Sequence, residues 1–138
     1  MNIAEIEDRG FHVGIVGARA MTDYGVFKPI IDAWIAAHGR PDAIVSGGAV
    51  GADSLAERYA EEHNITMIVH PPKMHLASPE RYYERNRDIV DDSDHIIAFP
   101  SSQRGKDYHN TRGGTQHTMR YADGTDTPLH IYWMEEIV

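Results

Sequence analysis

The chain has 138 residues, of which 41% are hydrophobic and 25% charged, with no cysteine and a formal net charge of −8. That length fits one domain covering 1–138, and the mixture excludes collagen, coiled coil and intrinsic disorder. The missing cysteines exclude disulfides, thiolate zinc sites and thiol catalysis. No apolar run is long enough for a membrane helix and MNIAEIEDRG lacks a signal-peptide core, so a cytoplasmic setting away from membranes is expected.

Taken in chain order, short apolar runs alternate with longer amphipathic ones. Phe11–Val16 (FHVGIV) predicts a buried strand that stops at Gly17. Val26–His38 spaces Phe27, Ile30, Ile31, Trp34 and Ile35 as a helix ending at Gly39. Ala43–Ser46 predicts a second strand, Val50–His63 a second helix, and Ile65–Val69 a third strand closed by His70-Pro71-Pro72. A helix from about Glu80 to Asp91 leads to a fourth strand, Asp94–Phe99. After the polar loop Ser101–Asn110, a helix over Gly114–Ala122 and a strand over Leu129–Met134 complete the pattern. Strands and helices in this alternation indicate an α/β, Rossmann-like doubly wound sheet of about five parallel strands with helices on both faces. Ligands of such sheets sit beyond the carboxyl ends of the strands, where the strand order reverses.

Those ends carry the distinctive residues. Gly17-Ala18-Arg19 follows the first strand, with Thr22-Asp23-Tyr24 just beyond, and Ser46-Gly47-Gly48-Ala49-Val50-Gly51-Ala52-Asp53 follows the second. The loop after the fourth leads to Arg112-Gly113-Gly114-Thr115 at a helix start. Glycine lets backbone N–H groups approach an anion closely, and a helix N-terminus favours negative charge. One Gly-Gly pair alone is equally a tight turn. Ser46–Gly51 is not a G-x-G-x-x-G fingerprint, and Gly105-Lys106-Asp107 is not the end of a Walker A loop. Recurrence on one sheet edge, with arginines nearby, is what points to phosphate. In Tyr82–Asp88, Arg85 and Arg87 lie about 200° apart on a helix, so only one can face a ligand while the other pairs with Glu84 or Asp88.

The segments GAR with Thr22-Asp23-Tyr24, SGGAVGADSLAERYA, RNRDIVDDSDHIIAFP and GGT together resemble the SLOG superfamily of Rossmann-like proteins, and within it the YspA (YpsA-related) branch. The resemblance runs from about Val13 to Tyr132. It implies a small nucleotide or nucleotide-derived ligand contacted by Gly17, Ala18, Arg19, Ser46, Gly47, Gly48, Gly51, Asp53, Arg85, Asn86, Gly113, Gly114 and Thr115. It also implies a homo-oligomer, because many such small proteins pair through helices. Phe99, with Tyr24, is a candidate for stacking a base, and its alternative place is the sheet core.

Two further resemblances give alternative functions. LOG-type phosphoribohydrolases hydrolyse the N-glycosidic bond of nucleoside monophosphates and use P-G-G-x-G-T-x-x-E. Here Arg112 stands near the proline's place and Thr118 where the glutamate would be, so the acid of a hydrolase would be Asp23 or Asp53. DprA/Smf proteins, which load single-stranded DNA, share an S-G-x-A-x-G-x-D segment with Ser46–Asp53. A strand groove needs a basic track with aromatics, here Arg19, Arg85, Arg104, Lys106 and Arg112 with Tyr24, Tyr83 and Tyr108, against an acidic background that opposes polyanions. The acid is unevenly spread: residues 1–72 hold five basic and ten acidic side chains, 73–120 eight and seven, and 121–138 none and four. The nine histidines include no H-E-x-x-H and no pair four apart, so neither a metal nor a cofactor is expected.

Overall fold

A computed structural model describes residues 9–101 and 108–137. Five strands form one sheet: β1 (His12–Gly17), β2 (Ala43–Ser46), β3 (Thr66–Val69), β4 (His95–Phe99) and β5 (Leu129–Ile131). Helices α1 (Tyr24–His38), α2 (Ala52–Glu62), α3 (Glu80–Asp91) and α4 (Gly114–Gly124) connect them, and a short α5 (Met134–Ile137) follows β5. Every pairing is parallel and the spatial order is β3-β2-β1-β4-β5. The expected doubly wound sheet is therefore present, and its order reverses between β1 and β4.

The two-residue period of a strand sorts the core into two layers. Val13 and Ile15 of β1, Ile44 of β2, and Ile97 and Phe99 of β4 pack against Phe27, Ile31 and Trp34 of α1 and Leu55 and Tyr59 of α2. Val16, Val45, Ile96 and Ala98 point the other way, onto Ile89 and Val90 of α3 and Met119 and Ala122 of α4. Burial on both faces explains why these strands read as continuous apolar runs rather than alternating ones.

The element boundaries differ from the sequence reading where local caps decide them. α1 begins at Tyr24, two residues earlier than its apolar spacing indicates, because the Asp23 carboxylate accepts the Val26 N–H at 3.3 Å. α2 begins at Ala52, past Val50, because Gly51 holds φ at +87°. The last strand ends at Ile131 instead of Met134. Trp133 turns inward to join the α3–α4 layer, and the Met134 N–H is taken by Pro100 O at 3.0 Å as α5 begins.

Candidate functional site

A cleft of about 540 Å³ opens at the carboxyl edge of the sheet, between the turns that leave β1, β2 and β4. This volume lies in the range of small-ligand sites, and the position is the topological switch point of the sheet. Of the residues singled out from sequence, Gly17, Ala18, Arg19, Gly47, Gly48, Asp53, Arg85, Asn86, Gly113, Gly114 and Thr115 lie on its walls. Ser46, Gly51, Phe99 and Asp23 lie elsewhere. Ser46 is fully buried beneath the second turn. Phe99 is also fully buried, its ring against Phe27 and Tyr132, so it offers no face to a base and meets the turn only through its carbonyl, which accepts the Ala18 N–H at 2.9 Å. Asp23 caps α1. Gly51 packs against the chain at Ala18 and Arg19, where a β-carbon would come within 2.6 Å of Arg19 Cα. Arg104 and Lys106 lie outside the described residues.

Arg85 and Asn86 tie the two glycine turns together. Midway along α3, Arg85 turns inward and is 9% exposed; its Nη1 donates to Gly47 O at 2.8 Å and its Nε to Asn86 Oδ1 at 3.0 Å. Asn86 Nδ2 in turn donates to Gly114 O at 3.4 Å. The guanidinium lies so close to the backbone that a β-carbon on Gly47 would come within 2.8 Å of Arg85 Cζ, so the second turn needs glycine there for room. The 200° divergence read from sequence is realised: Arg87 faces outward and pairs with Glu84 and Glu80. Arg85 thus holds the frame of the cleft as well as lending it positive charge, while Arg19 on the rim is exposed.

The turn after β2 is already provided with an anion. Asp53 Oδ2 accepts the Ala49 N–H at 3.1 Å, the Gly47 N–H also favours its ionised form, and Ser46 Oγ accepts the Gly48 N–H at 3.4 Å. Burial nevertheless dominates and pushes the Asp53 carboxyl from its ordinary 3.8 up to about 6, although Arg85 pulls the other way. The turn before α4 differs. Gly113 is its N-cap residue, and among the described residues no side chain caps the helix and none comes near the β-carbon position of Gly114. Its first-turn N–H groups and the helix dipole make this the better anion site of the two.

Apart from Tyr83, named above among the aromatics of a strand groove, the sequence reading missed the apolar wall. Val50, Pro72, Pro79, Tyr82 and Tyr83 line the side of the cleft toward α3. Val50 and Tyr82 are 63% and 40% exposed, and Tyr83 stacks on His117 with ring centres 4.1 Å apart. The adjacent tyrosines at the start of a helix were the available signal. Only the packing of α3 against the β2 turn shows that they overlook the site. Among the described residues, no group of histidine and carboxylate side chains is arranged to hold a metal, and no helix is long and apolar enough to cross a membrane.

A search of the curated proteins matches none. Among solved structures, the chain is similar to DNA processing protein A of Helicobacter pylori, described for its single-stranded DNA binding mode. The two are 22% identical with a TM-score of 0.64, over 92% of this chain and 67% of that one. DNA processing protein A of Streptococcus pneumoniae is also similar, at 16% identity and a TM-score of 0.50, over 86% of this chain and 58% of that one. These likenesses share the fold and extend beyond this chain's length. Residues 11–76, from β1 through the β2 turn and β3 into the following loop, match the YspA, cpYpsA-related SLOG family, in keeping with the resemblance that the glycine turns carry.

Proposed function

We infer that the cleft binds a small nucleotide or nucleotide-derived ligand. The observation that carries this reading is the convergence of three glycine-bearing turns on one cleft at the switch point, braced by a nine-tenths buried arginine. The ligand's phosphate lies on the uncapped N-terminus of α4, at Gly113, Gly114 and Thr115, with Arg19 on the rim supplying further charge. The base lies on the apolar wall of Tyr82, Tyr83 and Pro79. A net charge of −8 with a local cationic cleft suits a discrete anion better than a long polyanion. Thermal unfolding with mono- and dinucleotides tests the reading. A ligand at 100 times its Kd adds about 2.7 kcal/mol. For 138 residues at about 2.1 cal/mol/K each, that is a rise in Tm of about 9 °C. No shift with any nucleotide refutes the reading.

Asp53 supports a second reading, hydrolysis of the N-glycosidic bond, since a cleft carboxyl near pH 6 is suited to proton transfer. Release of free base from nucleoside monophosphates, abolished in Asp53→Asn, is its signature. The single-stranded DNA binding described for the H. pylori neighbour gives a third. It requires affinity that falls steeply with salt, and a flat salt response refutes it.

A further inference from the structure

The cleft has a direction. At its β2 end, the backbone donors of Gly48 and Ala49 are engaged by Ser46 Oγ and Asp53 Oδ2, and the Gly47 N–H also turns toward the Asp53 carboxylate. A phosphate placed there would find those donors occupied and would meet a carboxylate of its own sign. At the β4 end, the first turn of α4 has no side-chain cap among the described residues and favours an anion. The phosphate therefore belongs at the α4 end, and an acceptor waits at the other.

That acceptor is short of partners. Asp53 is 7% exposed on the cleft wall, and no side chain among the described residues donates a hydrogen bond to it. The cation nearest in influence, Arg85, directs its guanidinium to Gly47 O, to Asn86 Oδ1 and, at 3.5 Å, to His70 O. A carboxylate takes about four hydrogen bonds, so the backbone bonds leave capacity for O–H donors from a ligand. A buried acceptor left short is costly, and a ligand that completes it gains selectivity over one that does not. In doubly wound dinucleotide sites an acidic side chain accepts the ribose 2′-hydroxyl, which is the chemistry a cleft carboxylate short of donors offers.

We propose that Asp53 is the sugar-reading residue of the cleft: its carboxylate accepts the ribose hydroxyls of a ribonucleotide whose phosphate rests on α4, so the site selects ribo- over 2′-deoxy ligands. The proposal rests on the nucleotide reading given above and reassigns the Ser46–Asp53 turn from phosphate to sugar. It also separates this cleft from DNA, which lacks the 2′-hydroxyl.

Calorimetric titration at pH 7.5 tests it with ribose 5-phosphate, 2-deoxyribose 5-phosphate, the ribonucleoside 5′-monophosphates and their 2′-deoxy counterparts. The wild type is expected to bind the ribo forms at least about tenfold tighter, as a hydrogen bond to a charged group allows. In Asp53→Asn, which keeps an acceptor for the Ala49 N–H, the preference for the ribo forms is expected to fall within about threefold. Ser54→Ala, which removes the bond from Ser54 Oγ to Ala49 O and leaves the carboxylate in place, is expected to retain the preference. Equal ribo and deoxy affinities in the wild type overturn the proposal and leave the nucleotide reading standing. Loss of the preference in Ser54→Ala as well makes Asp53 merely structural and also overturns it. No binding of any of these compounds removes the nucleotide reading itself, and the proposal with it.

Discussion

Replacing Asp53 by asparagine should stabilise the protein at neutral pH, against the usual direction of a substitution at a buried site. Burial holds the Asp53 carboxyl at about 6 instead of 3.8. At 1.36 kcal/mol per decade, keeping it ionised at pH 7.5 costs about 3 kcal/mol. Asparagine preserves the acceptor for the Ala49 N–H and removes the charge. Allowing for an imperfectly placed amide, the expected gain is about 1–3 kcal/mol, or about 3–10 °C in Tm for a chain of this length. The pH dependence fixes the cause. Between 3.8 and about 6 the folded state holds the proton and the unfolded state releases it, so this group's contribution to stability falls as pH rises through that window. Urea unfolding of both proteins from pH 4 to pH 7.5 reads the effect, and the difference between them cancels the titration of every other group. The advantage of Asp53→Asn should be full above pH 6 and vanish toward pH 4. An advantage that is independent of pH, or a variant less stable than the wild type at pH 7.5, refutes the reasoning.

Gly47→Ala drives a β-carbon into the Arg85 guanidinium and should cost about 1–3 kcal/mol in urea unfolding. Gly114→Ala meets open space and should stay within about 0.5 kcal/mol. Arg85→Met strands the buried carbonyl of Gly47 and should cost about 2–4 kcal/mol, with the second turn losing protection from hydrogen exchange before the sheet does. At the opposite edge of the sheet, His95 Nδ1 and His130 Nε2 lie 2.9 Å apart beside His38, and one ring must donate to the other. Burial, and then the neighbouring histidines, lower both below the ordinary 6.5, although Asp94 opposes this at His95. The folded state thus binds fewer protons than the unfolded one, and stability should fall as pH drops below 6.5. The same urea series on His130→Gln should show a shallower fall, and an unchanged slope refutes the assignment.

The fold was legible because α/β sheets write themselves locally. Continuous apolar runs such as AIVS and HIIAF, each followed by a glycine or proline turn and an amphipathic helix, permit little besides a parallel sheet, and the strand ends then locate the ligand edge. The glycine turns and the Arg85-Asn86 pair were visible for the same reason, since they punctuate those elements. What single residues do there was not. From sequence, the glycines of Ser46–Gly51 read as a phosphate cradle. The structure shows their donors turned toward Asp53 and Ser46, because a side chain in the first turn of α2 can reach back over the loop that precedes it. Phe99 read as a stacking ring until the sheet placed it between Phe27 and Tyr132. Tyr82 became a cleft residue only through the packing of α3 beside the β2 turn, and three distant histidines met only because β4, β5 and the end of α1 share an edge. Local sequence determined the elements and the edge they share. Local side-chain geometry decided which donors of the turn remained free, and long-range packing decided which side chains overlook the cleft and which charges came to lie buried together, because the latter depend on neighbours dozens of residues away.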